Sequence, residues 1–344
     1  MIEPAQIKAQ VIERAQSLGF ADCRITAALP AAHRELYAQW IADGKHGDMA
    51  WMARDLERRT DPRIVLPGAQ SIIVVCLSYF QGKERPDTDY RIARYAWNDD
   101  YHDLMTAKLK ELIAVLEQHG GTQRPYVDTG PMLERDFASE AGLGWNGKST
   151  MQIHPKHGTW FFLGEILTTL ALPPDLGAKD RCGSCTRCIT ACPTGAITAS
   201  HRLYARKCFS YLTIENTGPI PEMYRKAIGN RLYGCDDCLD ACPWNRFAAT
   251  SREATFQARD SVFSQKLTDF LTLTDETFRL LFKGSPIKRI KRPAFLRNVC
   301  VVLGNVGTSE DLSALQIAAE DPHPLIAEHA KWALEEIEKR THAV

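Results

Sequence analysis

The chain lacks a surplus of either charge: 42 Lys and Arg stand against 42 Asp and Glu. Global charge therefore gives no sign of nucleic-acid binding, and any such role must rest on local clustering. A membrane span needs about 20 apolar residues, and no run approaches that; the richest, Trp160 to Leu172, is broken by Glu165. The first twenty residues have no apolar signal core and carry acids early. A cytoplasmic location, away from membranes and in a reducing compartment, is expected. No glycine-rich stretch stands between a strand and a helix, so neither a Rossmann nicotinamide site nor a phosphate loop is supported. Gly142-Leu-Gly144-Trp-Asn-Gly147-Lys-Ser149 shares letters with both patterns but follows a helix pattern. What remains is a globular composition, 44% hydrophobic and 24% charged over 344 residues, enough for two or three domains.

Periodicity divides the chain into three. Residues 1–172 alternate helical and strand-like patterns, which reads as an α+β or α/β domain. Ile7, Val11, Ala15 and Leu18 mark a first amphipathic helix, and Ser71 to Leu77 a buried strand. Helices are expected from Tyr101 to His119, closed by Gly120-Gly121, and from Met132 to Ala141, closed by Gly142. Trp160–Leu163 and Ile166–Leu172 read as two further strands. Pro173-Pro174 opens a boundary. Residues 173–250 hold most of the cysteine and offer little hydrophobic core. Residues 251–344 read as helical, with Ala294–Leu303, Asp311–Ala319 and Leu325–Lys339 separated by Gly304, Gly307 and Asp321-Pro-His-Pro324. The last helix puts Ile326, Ala330, Ala333, Leu334 and Ile337 on one face, a pattern like a HEAT repeat.

Eight of the eleven cysteines carry the most specific signal. Cys182-x2-Cys185-x2-Cys188-x3-Cys192-Pro193 is followed by Cys235-x2-Cys238-x3-Cys242-Pro243. Three thiolates two residues apart can wrap one iron–sulfur cube, and the cysteine before proline reaches the other cube. This assigns Cys182, Cys185, Cys188 and Cys242 to one [4Fe–4S] cluster, and Cys192, Cys235 and Cys238 to a second. Leu232 stands where the second run needs its first cysteine, and Cys208 is the nearby candidate for the missing ligand. Zinc sites leave the crossover unexplained, and disulfides fit a reducing compartment poorly. Cys23, Cys76 and Cys300 lie in apolar surroundings and read as packing residues.

Clusters carry electrons without saying where they go. In Tyr-Val-Asp128-Thr-Gly-Pro131, Asp128 reads as a turn or cap residue, or as a general acid whose proton is retained beside an apolar ligand. The glycines of 142–149 would either let backbone approach a bulky ligand or form a helix cap and turn. Lys283, Lys288, Arg289, Lys291, Arg292 and Arg297 crowd one stretch without an acid, which reads as a phosphate-contacting run or as a solvated face. Arg91 and Arg94, between Tyr90 and Tyr95, make a weaker basic patch.

Taken together, His46-Gly-Asp-Met-Ala-Trp-Met52, Arg94-Tyr-Ala-Trp-Asn-Asp-Asp-Tyr-His102, Val127-Asp-Thr-Gly-Pro131, Leu133-Glu-Arg135, Gly142 to Lys148 and the two cysteine runs resemble the epoxyqueuosine reductase family. The resemblance spans nearly the whole chain. It implies a nitroreductase-like, corrinoid-binding α+β domain (1–172), with cobalamin held base-off and no protein histidine on cobalt. It implies a ferredoxin-like module with two [4Fe–4S] clusters (173–250), fed by an external low-potential electron donor. A HEAT-like helical domain (251–344) would contact tRNA in a monomeric protein. The implied reaction reduces epoxyqueuosine to queuosine at the wobble position of tRNAs for Asp, Asn, His and Tyr, which carry GUN anticodons. Asp128 matches the family's proton donor and Tyr101 a tyrosine of the same pocket. Gly142, Gly144, Trp145, Gly147, Lys148 and Ser149 are candidates for the corrin wall, and Lys288, Arg289, Lys291 and Arg292 for tRNA contact. Two rivals share parts of this logic. A corrinoid reductive dehalogenase would leave the basic run without purpose, and a pure electron-transfer or tRNA-binding protein would bind no corrin.

Overall fold

A computed structural model describes residues 2–342. Helix α1 (Pro4–Ser17) starts on a proline, whose missing N–H is one of the unpaired donors there anyway, and buries Ile7, Val11 and Ala15. Leu18 lies just past its end. Strands β1 (Asp22–Ala27) and β2 (Ser71–Ser78) follow. The Asp100 side chain caps helix α2 (Tyr101–Glu117), which ends before Gly120 and Gly121, both at positive φ. Strand β3 (Gln123–Tyr126), helix α3 (Glu134–Glu140) and strand β4 (Phe161–Thr168) complete the unit.

The four strands form one antiparallel sheet in the order β1-β2-β4-β3. The two strands expected within 160–172 are one continuous strand. Gly164 does not break it: a Cβ there would stand 2.9 Å from the Met105 methyl, so the missing side chain lets α2 pack close. Side chains alternate across the sheet. Phe162 and Ile166 join the α1 and α2 core, whereas Phe161 and Leu167 join Phe137 of α3 on the other face.

The expectation of little core among residues 173–250 is corrected. Phe209, Tyr211, Leu212, Ile220, Ile228, Leu232 and Tyr233 join a large apolar cluster with Tyr90, Ile92, Trp97 and the C-terminal helices. Apolar residues between the two cysteine runs, not the runs themselves, do this packing. The C-terminal helices are α4 (Lys291–Val306), α5 (Leu312–Ala319) and α6 (Pro324–Thr341). Gly304 does not end α4 but lies within it. There its bare Cα admits the Trp332 ring, which a Cβ would strike at 2.4 Å. Along α6, Ile326, Ala330, Ala333 and Ile337 are buried as the periodicity predicts. Among the described residues, no helix is long and apolar enough to cross a membrane.

Candidate active site

The end of the sheet, the cysteine loops and the segment before α4 enclose a cavity of about 1070 Å³. Its wall brings together Asp128, Tyr101, four cysteines and the basic run. Asp128 lies between β3 and α3 at φ 59°, in the left-handed region that non-glycine residues rarely occupy. Its N–H donates to Glu134 Oε1 at 2.7 Å, and its Oδ2 accepts from the Tyr101 hydroxyl at 2.8 Å. The Tyr101 ring lies flat on Phe162, 3.9 Å between centroids and 7° from parallel. Burial pushes the Tyr101 hydroxyl well above its ordinary range, and the Asp128 carboxylate adds to this, so it stays a donor. His102 stands 3.8 Å from Asp128 through Nε2 and 2.7 Å from Asp100 through Nδ1. Burial alone would lower its pKa; the Asp100 bond and charge outweigh that and raise it. The Asp128 side chain bonds to Tyr101, while the residue preceding α3, Leu133, provides no side-chain cap.

The eight cysteines, those of the two runs and Cys208, gather in two groups of four. Burial pushes the Cys242 thiol up to about 11, and Cys182, Cys188 and Cys185 are the thiols acting on it. Burial also raises Cys238 well above its ordinary value, with Cys208, Cys235 and Cys192 around it. Two short helices, Arg187–Thr190 and Asp237–Asp240, pack on each other and bring the runs together. Leu232 is buried on the short strand Arg231–Tyr233, which pairs with Arg91–Ile92. That position therefore belongs to the core, and Cys208 stands in the second quartet. All eleven cysteines are free. The quartet of Cys192, Cys208, Cys235 and Cys238 lines the cavity; the other four lie away from it.

Of the glycine-rich stretch, only Ser149 lines the cavity. The glycines answer to the protein's own backbone. A Cβ at Gly142 would lie 2.2 Å from the Leu176 carbonyl oxygen, and one at Gly144 2.1 Å from that of Ile153. At Gly147 it would meet the Ile153 side chain at 2.5 Å. The stretch leads from α3 into a hairpin, Trp145–Asn146 with Gln152–Ile153, rather than from a strand into a helix. Its letters match a phosphate loop, but its geometry does not. Trp145 Nε1 donates to Cys182 Sγ at 3.4 Å, and Lys148 Nζ bonds the Gly183 carbonyl. Both side chains thus brace the loop of the outer thiol quartet.

Lys288, Arg289, Lys291 and Arg292 all line the cavity. Arg289 holds Glu215 with bonds of 2.8 and 2.9 Å, and Arg292 pairs with Asp321. Lys288 and Lys291 are exposed and enter no ion pair among the described residues. Arg297 is not part of this basic face. It is buried in α4 and donates to the carbonyls of Leu212, Asn216 and Gly218. Burial lowers its pKa to about 9. Arg94 is likewise buried, over Trp97 and bonded to the carbonyls of Gly82 and Lys83. Arg91 pairs with Asp237 and Asp240.

Two carboxyls were passed over in the sequence, Glu134 and Glu165. Their one signal is an acid at 165 amid the apolar run of β4.

Paired thiol quartets fit the chemistry of two cubane clusters, and the model of a 4Fe-4S double cluster binding domain matches residues 181–245. The chain is thus a two-cluster iron–sulfur oxidoreductase. The model described as "Epoxyqueuosine reductase QueG, DUF1730" matches residues 59–129. The epoxyqueuosine reductase of Xanthomonas campestris pv. campestris is 42% identical over 342 residues, covering 96% of each chain. That of Escherichia coli K12 is 37% identical over 349 residues, covering 98% of this chain and 92% of the other. A crystal structure of epoxyqueuosine reductase with an epoxyqueuosine-modified tRNA-Tyr stem loop superposes with a TM-score of 0.91 at 30% identity. It covers 99% of this chain and 92% of that one. The chain belongs to the epoxyqueuosine reductase family.

Proposed function

We propose that the chain reduces epoxyqueuosine to queuosine at the wobble position of GUN-anticodon tRNAs, with cobalamin in the cavity and Asp128 as the proton donor. One observation carries this reading: a single cavity is lined by an acid, by one thiol quartet and by unpaired lysines. At about 1070 Å³ it exceeds the roughly 300–1,000 Å³ of ordinary ligand pockets, which suits a macrocycle. Tyr79, Tyr95, Phe161 and Phe162 give it apolar, aromatic walls. When bound, the corrin cobalt supplies low-potential electrons to the substrate carbon.

The residues divide the remaining work. Cys182, Cys185, Cys188 and Cys242 hold the outer cluster, where an external low-potential donor delivers electrons. Cys192, Cys208, Cys235 and Cys238 hold the inner cluster at the cavity wall. Tyr101 fixes the Asp128 carboxyl, which protonates the epoxide oxygen and so improves a poor leaving group. Lys288 and Lys291, with Arg289 and Arg292 beside them, contact phosphate; they give affinity without sequence choice. The wobble base enters from a single-stranded loop, where leaving the stack costs little. A nitroreductase-like arrangement of the sheet domain, a HEAT-like packing of α4–α6 and a monomeric, cytoplasmic protein belong to the same reading.

The test is anaerobic turnover. The cluster-loaded chain with cobalamin, a low-potential reductant and epoxyqueuosine-containing tRNA is expected to yield a nucleoside lighter by one oxygen. No conversion, with clusters and corrin both bound, refutes the reading.

A further inference from the structure

Alternation along β4 calls for an apolar residue at 165. On that face Phe161, Leu163 and Leu167 pack with Val74, Ile72 and Phe137. Glu165 stands there instead, with none of its surface exposed and neither carboxyl oxygen receiving a hydrogen bond from a donor among the described residues. It lies between Val74 and Tyr126 in the sheet register, neither of them a cation, and Arg124, diagonal to it on β3, donates to the Val65 carbonyl instead. Helix α3 packs on β4, and Glu134, at the start of that helix, is the carboxyl that acts most on Glu165. Two carboxylates are both acceptors; they can bond only if one carries a proton. An isolated buried carboxylate is also far too costly to keep ionised.

Glu134 has two further neighbours. Its Oε1 accepts the Asp128 N–H at 2.7 Å, and its side chain borders the cavity. Thus the acid that faces the substrate, Asp128, is backed by a carboxyl that touches both its backbone and a buried, protonated partner.

The reaction proposed above needs this. Converting an epoxide to an alkene and water takes two electrons and two protons. One carbon–oxygen bond opens as the oxygen takes the first proton. The second breaks as the oxygen takes another and leaves as water, and the two electrons, from the external donor, become the new π bond. Asp128 holds one proton at a time. We propose that Glu134 and Glu165 share a proton behind Asp128 and that Glu134 hands it to Asp128 within the catalytic cycle. The pair then provides the second proton the reaction consumes. This inference rests on the epoxide-reducing reading.

The charges around the pair agree. Burial raises Glu165 well above the usual carboxylate range, with the Glu134 and Asp128 charges adding to it. Burial and the Asp128 charge push Glu134 up to about 7; the Glu165 hydrogen bond, the Asp128 N–H and the Arg135 charge oppose this. Tyr101, which also faces Glu134, remains neutral. His102 and Arg289 act on Asp128 from α2 and from the basic run. A shared proton that titrates near neutrality is poised for transfer. Neither glutamate need touch substrate; both act through Asp128.

Two measurements test this on the cluster-loaded chain. Infrared difference spectra between mildly acidic and mildly alkaline pH should show a protonated carboxyl that Glu165→Gln abolishes. If wild type shows no such band, the shared proton is refuted, whatever the kinetics. Turnover on modified tRNA should then separate relay from support. Glu134→Gln keeps an oxygen for the Asp128 N–H but cannot pass a carboxyl proton. It should lower kcat at least about tenfold, leave KM for tRNA unchanged and remove a limb of the pH–rate profile near neutrality. Wild-type kcat and profile in Glu134→Gln, with only Glu134→Ala impaired, would reduce Glu134 to a positioning role and overturn the relay. If wild type fails to convert the tRNA, the epoxide reading falls, while the infrared result still decides the proton pair.

Discussion

The Tyr101 hydroxyl donates to Asp128 Oδ2 at 2.8 Å while its own ring is clamped flat against Phe162. A stacked ring has little freedom, so the carboxyl it holds is aimed by the sheet through β4. The Asp128 side chain nevertheless keeps 58% of its surface exposed, which leaves room for a substrate oxygen. Asp128→Asn preserves shape and the contact to Tyr101 but removes the acid. It should lower single-turnover rates by about 10²–10⁴-fold with iron content unchanged. Tyr101→Phe keeps the stacked ring and loses one bond, worth about 1 kcal/mol; a loss of about tenfold at most is expected. Near-wild-type rates in Asp128→Asn, with cobalamin bound, would remove it from the mechanism.

In the proposed reading Cys208 completes the inner cluster, although it lies far in sequence from its partners in the second run. Cys208→Ser should cut iron and sulfide content by about half, since each cube takes four thiolates, and abolish turnover. Adding Leu232→Cys to that variant should not restore the cluster, because position 232 is buried in the core beside Tyr233. Full iron content in Cys208→Ser would exclude it as a ligand.

The two cysteine runs were legible because their short spacings and following prolines are local; the partners drawn from a distance, Cys242, Cys192 and Cys208, are brought in by the fold. The buried faces of α1 and α6 were legible from local periodicity. Other features depend on what packs against them. Arg297 belongs by sequence to a basic run, but α4 is buried on all sides from Ala294 to Gly304, and three distant carbonyls claim its guanidinium. Gly142, Gly144 and Gly147 spell a ligand loop, yet the atoms they make room for are those of Leu176 and Ile153. Glu165 read as an interruption of an apolar run; only the packing of α3 against β4 sets another carboxyl, Glu134, to act on it.

The basic residues divide into free and engaged. Lys288 and Lys291 have no ion-pair partner among the described residues, whereas Arg292 pairs with Asp321, whose side chain is 9% exposed. Lys288→Ala and Lys291→Ala should each weaken tRNA binding and flatten the log–log salt dependence by about one unit, measured by fluorescence anisotropy across a salt series. Arg292→Ala should instead lower thermal stability, because it strands a largely buried carboxylate. An unchanged salt slope in the double lysine variant would make this face merely solvated.

Arg297→Ala offers a contrast within the same run. The guanidinium satisfies the carbonyls of Leu212, Asn216 and Gly218 in a buried setting. Each acceptor left without a donor costs about 1–3 kcal/mol, so the variant should be severely destabilised in urea titrations. Lys283→Ala, a few residues away and exposed, should be neutral. Equal stability of the two variants would contradict the buried placement.

Glu134 links the site to global stability. Its pKa stands at about 7 in the folded chain against an ordinary value of 4.5, chiefly through burial and the neighbouring Asp128 charge. Between these values the folded protein holds a proton that the unfolded chain releases. This contribution is fully present below 4.5 and is lost as pH rises through 7. Stability should therefore fall with rising pH across that window, by at most about 1.4 kcal/mol per pH unit for one proton. Carboxylates elsewhere that are lowered on folding, such as Asp22 and Asp48, change stability only below their ordinary value of 3.8 and add no slope in this window. The informative quantity is the difference between wild type and Glu134→Gln, which removes this group and its charge from Glu165 together. Urea midpoints of the two, measured with clusters intact from mildly acidic to neutral pH, should converge or cross as pH rises, wild type losing ground to the variant. A constant difference across the window would mean that Glu134 titrates at its ordinary value.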